Sequence, residues 1–132
     1  MPFNWYDFYR LSIFLNSPLP SIVSFREAAL RTATSRAYFA AYGAATEFAK
    51  SKLGFTSSRF DPSEDHKKLR EWFQGSGKDL LARKLQKLRM WRNDSDYKKV
   101  IDDPQWLAKG AIRLCSDLFR ELNSSWPDRR GS

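Results

Sequence analysis

Arg92 and Asn93, with Tyr97 four residues beyond Asn93, come nearest in this chain to a chemical device. The planar fork of an arginine grips phosphate oxygens through paired hydrogen bonds. Arg92 falls eleven, seven and four residues after Leu81, Leu85 and Leu88, so it continues their apolar stripe and should face protein rather than water. A buried guanidinium needs an acceptor, and Asp96 lies one helical turn on. Two roles therefore stand open: an Arg92–Asp96 clamp closing the helix end, or a cation held ready for phosphate. If RNA were cut without a metal, its 2′-hydroxyl would be the nucleophile and Arg92 would stabilise the charge growing on phosphorus. Tyr97 is a poor base at neutral pH, because a phenol titrates near pH 10; it could instead orient a phosphate or donate a proton.

The remaining candidates each carry two readings. Arg36, set among alanines, either bridges to Asp94 or Asp96 across two helices or lines one anion site with Arg92. Trp91 either stacks on a base or packs in a dimer seam, and the seam is preferred. Lys84, Lys87 and Arg89, with Arg83, form either a strip for a nucleic-acid backbone or an ordinary solvated face. His66 is the single histidine, and its place beside Leu69 and Phe73 reads as a packed boundary residue. Cys115, the single cysteine, reads as a small core residue, which excludes an intrachain disulfide and fits a cytoplasmic setting. One histidine and one cysteine make a protein-only zinc site untenable, and no cofactor is expected. No phosphate-cradling glycine loop and no paired catalytic carboxylates occur.

A formal net charge of +8 favours an acidic partner: RNA, another polyanion or an acidic protein. No apolar run approaches the roughly 20 residues that cross a bilayer, so no membrane role is expected.

These residues must be positioned by helices, because no segment alternates with a period of two. Asn4 caps a first helix, Phe3 and Phe8 hold the staple positions, and Trp5, Phe8, Leu11 and Leu15 share a face. Pro18 and Pro20 mark a connection. Ser24 and Glu27 box the start of a long alanine-rich helix to about Lys52, anchored by Leu30, Tyr38, Phe48 and Leu53, with Gly54 as its stop. Asp61, Pro62 and Glu64 open a third helix, with Leu69, Trp72 and Phe73 inward and Gly75 and Gly77 at its end. A fourth runs from about Lys78 into the low nineties on Leu81, Leu85 and Leu88. Asp103 and Pro104 start a fifth on Leu107, Ala111, Leu114, Cys115, Leu118 and Leu122, which Pro127 stops. The expectation is an all-α, antiparallel up-and-down bundle of four to five helices over residues 3–124, with a polar tail at 125–132.

Two segments add a resemblance. The run Leu30-Arg31-Thr32-Ala33-Thr34-Ser35-Arg36-Ala37-Tyr38-Phe39-Ala40-Ala41-Tyr42 and the run Leu88-Arg89-Met90-Trp91-Arg92-Asn93-Asp94-Ser95-Asp96-Tyr97 are similar to signatures of the HEPN family. Phe3-Asn4-Trp5 and His66-Lys67-Lys68-Leu69 strengthen the likeness, which spans about residues 3 to 122. It implies a helical bundle that forms a homodimer with a composite groove between late helices. It also implies a role in prokaryotic toxin–antitoxin or antiviral systems, either as a metal-independent ribonuclease or bound to a cognate antitoxin or defence effector. The family's catalytic motif ends in histidine, and Tyr97 stands at that position here. The missing histidine points to a non-catalytic interaction module that binds a partner effector or nucleotidyltransferase, whereas Arg92, Asn93 and the net charge point to RNA.

Overall fold

In a computed structural model, residues 3–17, 25–52, 54–56 and 62–125 are described, and all regular structure among them is α-helix. Five helices run in order: α1 (Tyr6–Asn16), α2 (Arg26–Lys52), α3 (Pro62–Gly75), α4 (Asp79–Tyr97) and α5 (Pro104–Ser125). None is long and apolar enough to cross a membrane, among the described residues. Pro18, Pro20, Ser24, Leu53, Asp61, Pro127 and the tail from 126, to which the sequence assigns roles, lie outside the described residues, as do the side chains of 62–64.

The end signals act as the sequence implies. Asn4 Oδ1 accepts the Tyr6 amide at 3.0 Å, and the Phe3 and Phe8 rings meet at 4.8 Å, closing the staple on α1. Gly54 and Gly77 both adopt φ +75°, the left-handed conformation that ends a helix without strain on a Cβ. The amide of Phe55 then returns to Ala49 O at 3.0 Å, and that of Lys78 to Phe73 O at 2.8 Å. Asp103 Oδ1 accepts the Trp106 amide at 3.0 Å and so caps α5.

The five helices pack as an all-α bundle in which α2 touches each of the other four. Ala33, Ala37, Ala40, Ala41, Ala45 and Ala49 are fully buried, so neighbouring backbones approach α2 closely. Leu69 and Phe73 of α3, the leucine stripe of α4, and Ala111, Cys115, Leu118 and Leu122 of α5 close the core. Burial holds the Cys115 thiol well above its ordinary titration range. Contacts place α2 and α4 antiparallel, with Arg31 beside Lys98 and Phe48 beside Lys78. The register of α4 on α5 is antiparallel too, since Lys84 pairs with Glu121 and Trp91 meets Gly110. The expected alternation is interrupted once. α3 runs in the same sense as α2, its His66 against Tyr42 and its Phe73 against Phe48.

Two assigned faces differ from expectation. On α1, Leu11 is 39% exposed while Ser12 is fully buried. The Ser12 hydroxyl donates to Phe8 O at 3.0 Å, so a small polar group can face the alanines of α2 without an unsatisfied hydrogen bond. On α3, Trp72 lies at the rim, 37% exposed and edge-on to Phe55 at 5.8 Å.

Gly43 is the one glycine within α2, and its reason is steric: a Cβ there would fall inside the Trp5 ring. Trp5 also donates from Nε1 to Glu47 Oε1 at 3.1 Å. Gly43→Ala should gain about 1 kcal/mol in helix propensity and lose about 1–3 kcal/mol to overpacking. We expect a lower melting temperature for Gly43→Ala alone. In a Trp5→Ala background the same change should be neutral or stabilising, and a simple additive outcome in this double-mutant cycle would show that the ring and the glycine do not interact.

Candidate functional site

The polar side chains of α2 sit where α4 crosses it. Arg31, with its side chain 18% exposed, donates from Nη1 to Ser95 O at 3.0 Å and Lys98 O at 2.5 Å, and from Nη2 to Lys99 O at 3.1 Å. Its Nε donates to Glu27 Oε2 at 2.9 Å. One guanidinium therefore holds Ser95 O, an orphan carbonyl of the last turn of α4 that the helix dipole leaves partially negative, together with two carbonyls of the chain just beyond it. Ser35, itself buried, donates to Asp96 Oδ2 at 3.4 Å. The α2–α4 polar link is therefore made by Arg31 and Ser35. Arg36 forms no carboxylate bridge to Asp94 or Asp96; its Nη2 contacts Ser35 Oγ at 3.2 Å, and its guanidinium lies 4.9 Å from the rings of both Phe8 and Phe39.

Arg92 is placed as its spacing requires, with only 22% of its side chain exposed. Its Nε stands 2.9 Å from Asp96 Oδ2 with the N–H not aimed along the line, so the contact is an ion pair without a hydrogen bond. Nη1 donates to Asn93 Oδ1 at 3.0 Å. The guanidinium lies 5.0 Å from the Phe39 ring, so Phe39 carries both Arg36 and Arg92. Tyr97 is near, 5.6 Å from ring centre to guanidinium carbon, yet 75% exposed.

His66 is the residue that the fold brings in from elsewhere. Its Nδ1 is hydrogen-bonded to the hydroxyl of Tyr38, and its ring stacks on Tyr42 at 4.1 Å and 12°. Burial raises the Tyr38 phenol above its usual range, so it stays protonated. Tyr38 has no other hydrogen-bonding partner among the described residues, so its O–H is satisfied by donating to Nδ1. The imidazole proton then resides on Nε2, which has no partner among the described residues. Arg70 Nη1 donates to His66 O at 3.2 Å, one turn along α3. Burial, then the charges of Arg89, Arg92 and Arg70, lower the His66 imidazole to about 4, against a smaller opposing effect of Asp65. Arg70 and Arg89 have no carboxylate within salt-bridge distance among the described residues.

Arg70 also lines a groove of about 420 Å³ between α3 and α4, with Lys67, Arg83, Lys87 and Met90 on its walls and Glu71 as the one acidic member. The basic strip assigned from sequence thus divides. Arg89 joins His66. Lys87 faces the groove and lies 5.1 Å from the Trp91 ring. Lys84 is drawn away, paired with Glu121 of α5. Trp91 packs within its own chain, edge-on to Trp106 at 5.6 Å and over Gly110, where a Cβ would stand 3.1 Å from the ring. No three His, Cys, Asp or Glu side chains converge as a metal site among the described residues.

No protein-family model matches the chain, and neither the curated proteins nor the solved structures contain a match to it.

Sequence reasoning passed over Tyr42, Arg70 and the grip of Arg31. The spacing of His66 and Arg70, four apart on one face, was the one local signal available.

Arg31→Ala should cost about 1.5–3 kcal/mol, the worth of charge-assisted hydrogen bonds. Arg31→Lys should recover little, because one ammonium cannot span three carbonyls. Denaturant unfolding gives the size, and faster exchange of the Lys98 amide, which donates to Asp94 O, with its neighbours in the last turn of α4 would locate it; unchanged protection there would remove the role assigned to Arg31.

The folded pKa of His66 lies below its unfolded value of about 6.5, so the unfolded chain binds the extra proton first. The stability tied to the neutral ring is complete above about pH 6.5 and is lost as pH falls towards 4. His66→Gln should lack this component, and superimposable stability–pH curves for the two proteins would contradict it.

Proposed function

We propose that this chain is a HEPN-like RNA-binding protein, acting as a homodimer in a prokaryotic toxin–antitoxin or antiviral defence system within the cytoplasm. The observation that carries the RNA reading is the basic groove between α3 and α4, whose Arg70 also donates to His66 O, with Arg89 and Arg92 close enough to act electrostatically on that half-buried imidazole. Phosphate contacts supply most sequence-independent affinity for nucleic acid, and Arg70 and Arg89, which have no carboxylate within salt-bridge distance among the described residues, are able to make them, with Arg92, ion-paired to Asp96, adding charge. Any cleavage at this site is metal-independent, with the 2′-hydroxyl as nucleophile and Arg92 as the stabilising cation.

One observation favours the second reading, a non-catalytic module that binds an acidic effector or a nucleotidyltransferase. Tyr97, at the position of the family's histidine, projects outward at 75% exposure beside Val100, which is also largely exposed. Met90 of α4 and Trp106 of α5 are exposed as well, and exposed apolar side chains on these helices are in keeping with a dimer built on late helices.

Labelled single-stranded RNA, titrated in EDTA at several salt concentrations, tests the first reading. Arg89→Ala and Arg92→Ala should each weaken binding and lower the salt slope by about 1. Lys84→Ala, whose ammonium is held by Glu121, should change neither. If wild-type protein cleaves, Arg92→Ala should slow the reaction about 10²–10³-fold, and Tyr97→Phe should show whether the phenol donates a proton. Equal loss of affinity in all three alanine variants would reduce the site to a general positive field.

A further inference from the structure

The Tyr38–His66 pair has a chemistry that RNA affinity alone does not require. Three features meet at the imidazole. Its Nδ1 is held by Tyr38 and its face by Tyr42, so the ring cannot turn away. Its Nε2 has no protein partner among the described residues, and the residue is only half-buried. Arg89 and Arg92 of α4 and Arg70 of α3 bear on it, while Asp65, the acidic group of its own helix that acts on the ring, has the smaller effect.

We propose that His66, with Arg70, Arg89 and Arg92 around it, is the seat of a phosphoryl group, and that seating the anion takes up one proton from solvent onto the imidazole. Arg89 and the remaining donors of Arg70 supply the fork geometry that phosphate oxygens accept, Arg92, held by Asp96 and Asn93, adds positive charge, and Nε2–H supplies a further donor. Without an anion, burial and then the three cations oppose a charge on His66. An anion among them reverses that, because an opposite charge within about 4–6 Å favours the protonated ring by about 1–3 pH units. Imidazolium then donates from Nε2 to the anion and from Nδ1 to the phenol oxygen of Tyr38, whose own hydrogen turns outward. Tyr42, raised by burial, stays neutral and remains a flat support. The site is thus a phosphate receptor that binds more tightly as pH falls. A phosphate of an RNA strand, on which the functional reading rests, and a free phosphomonoester present the same receptor chemistry.

His66 is the only histidine in the chain, so its ring protons report on this site alone. The test is an NMR pH titration of the His66 Cε1–H resonance between pH 4 and 8. The arms are sulfate, adenosine 5′-monophosphate, a short single-stranded RNA, and chloride at matched ionic strength. Sulfate keeps its charge across this range, so any change in its affinity belongs to the protein. We expect the midpoint to rise by about 1–3 pH units with sulfate over chloride, and sulfate affinity to rise up to tenfold for each unit of pH lost across that interval. Arg89→Ala should abolish the displacement, as should His66→Gln the pH dependence of affinity; circular dichroism establishes that each variant is folded. Lys84→Ala should behave as wild type.

An unmoved midpoint with all three ligands overturns the proposal. RNA that binds without moving His66 also overturns it and leaves the RNA reading intact. Sulfate and the mononucleotide moving His66, with no RNA bound, supports the receptor and removes the RNA reading.

Discussion

A helix that must touch four neighbours has to be slender. Along α2 the buried positions are mostly alanine, with Gly43 where the Trp5 ring crosses, and the large side chains Leu30, Tyr38 and Phe48 are spaced apart. Close approach of backbones leaves little room for long polar side chains inside, so the polar groups of α2 either bond their own helix, as Thr34 does to Leu30 O, or emerge where α4 crosses. The site follows from that constraint: Tyr38 is buried in the core with only its hydroxyl carried to the edge, where His66 receives it.

Charge is distributed by the same packing. α4 carries basic residues around most of its circumference, yet its neighbours treat them differently. α5 offers Glu121 to Lys84, whereas the α3 side leaves Arg89 without a carboxylate among the described residues. The helix is thus neutralised on one side and left cationic on the other, which gives direction to a net charge of +8 that composition alone leaves diffuse.

The helices were legible because their signals are local. Asn4, Gly54, Gly77 and Asp103 act on the amides and carbonyls next to them, and the stripes of α4 and α5 need only a period of 3.6. Arg92 was legible as an extension of one stripe, and Asp96 as its neighbour a turn away. Failures came where a distant surface decided. Ser12 is inward and Leu11 outward because α1 lies on alanines, which accept a small residue at the closest point. Arg36 was expected to seek a carboxylate, but Asp96 is taken up by Arg92 and Ser35, and aromatic faces serve instead. The Tyr38–His66 contact joins residues 28 apart, and it depends on α3 running in the same sense as α2, which no local pattern encodes.

The grip of Arg31 falls entirely on backbone oxygens, those of Ser95, Lys98 and Lys99. Every amino acid supplies such an oxygen, while the side chains of Lys98, Lys99 and Val100 point into solvent. The connector between α4 and α5 is therefore tolerant in spelling and strict in length. Lys98, Lys99 and Val100 can be exchanged freely as long as the chain leaves α4 at the same place, but inserting or deleting one would carry the carbonyls out of reach and alter the angle at which α5 returns to the core.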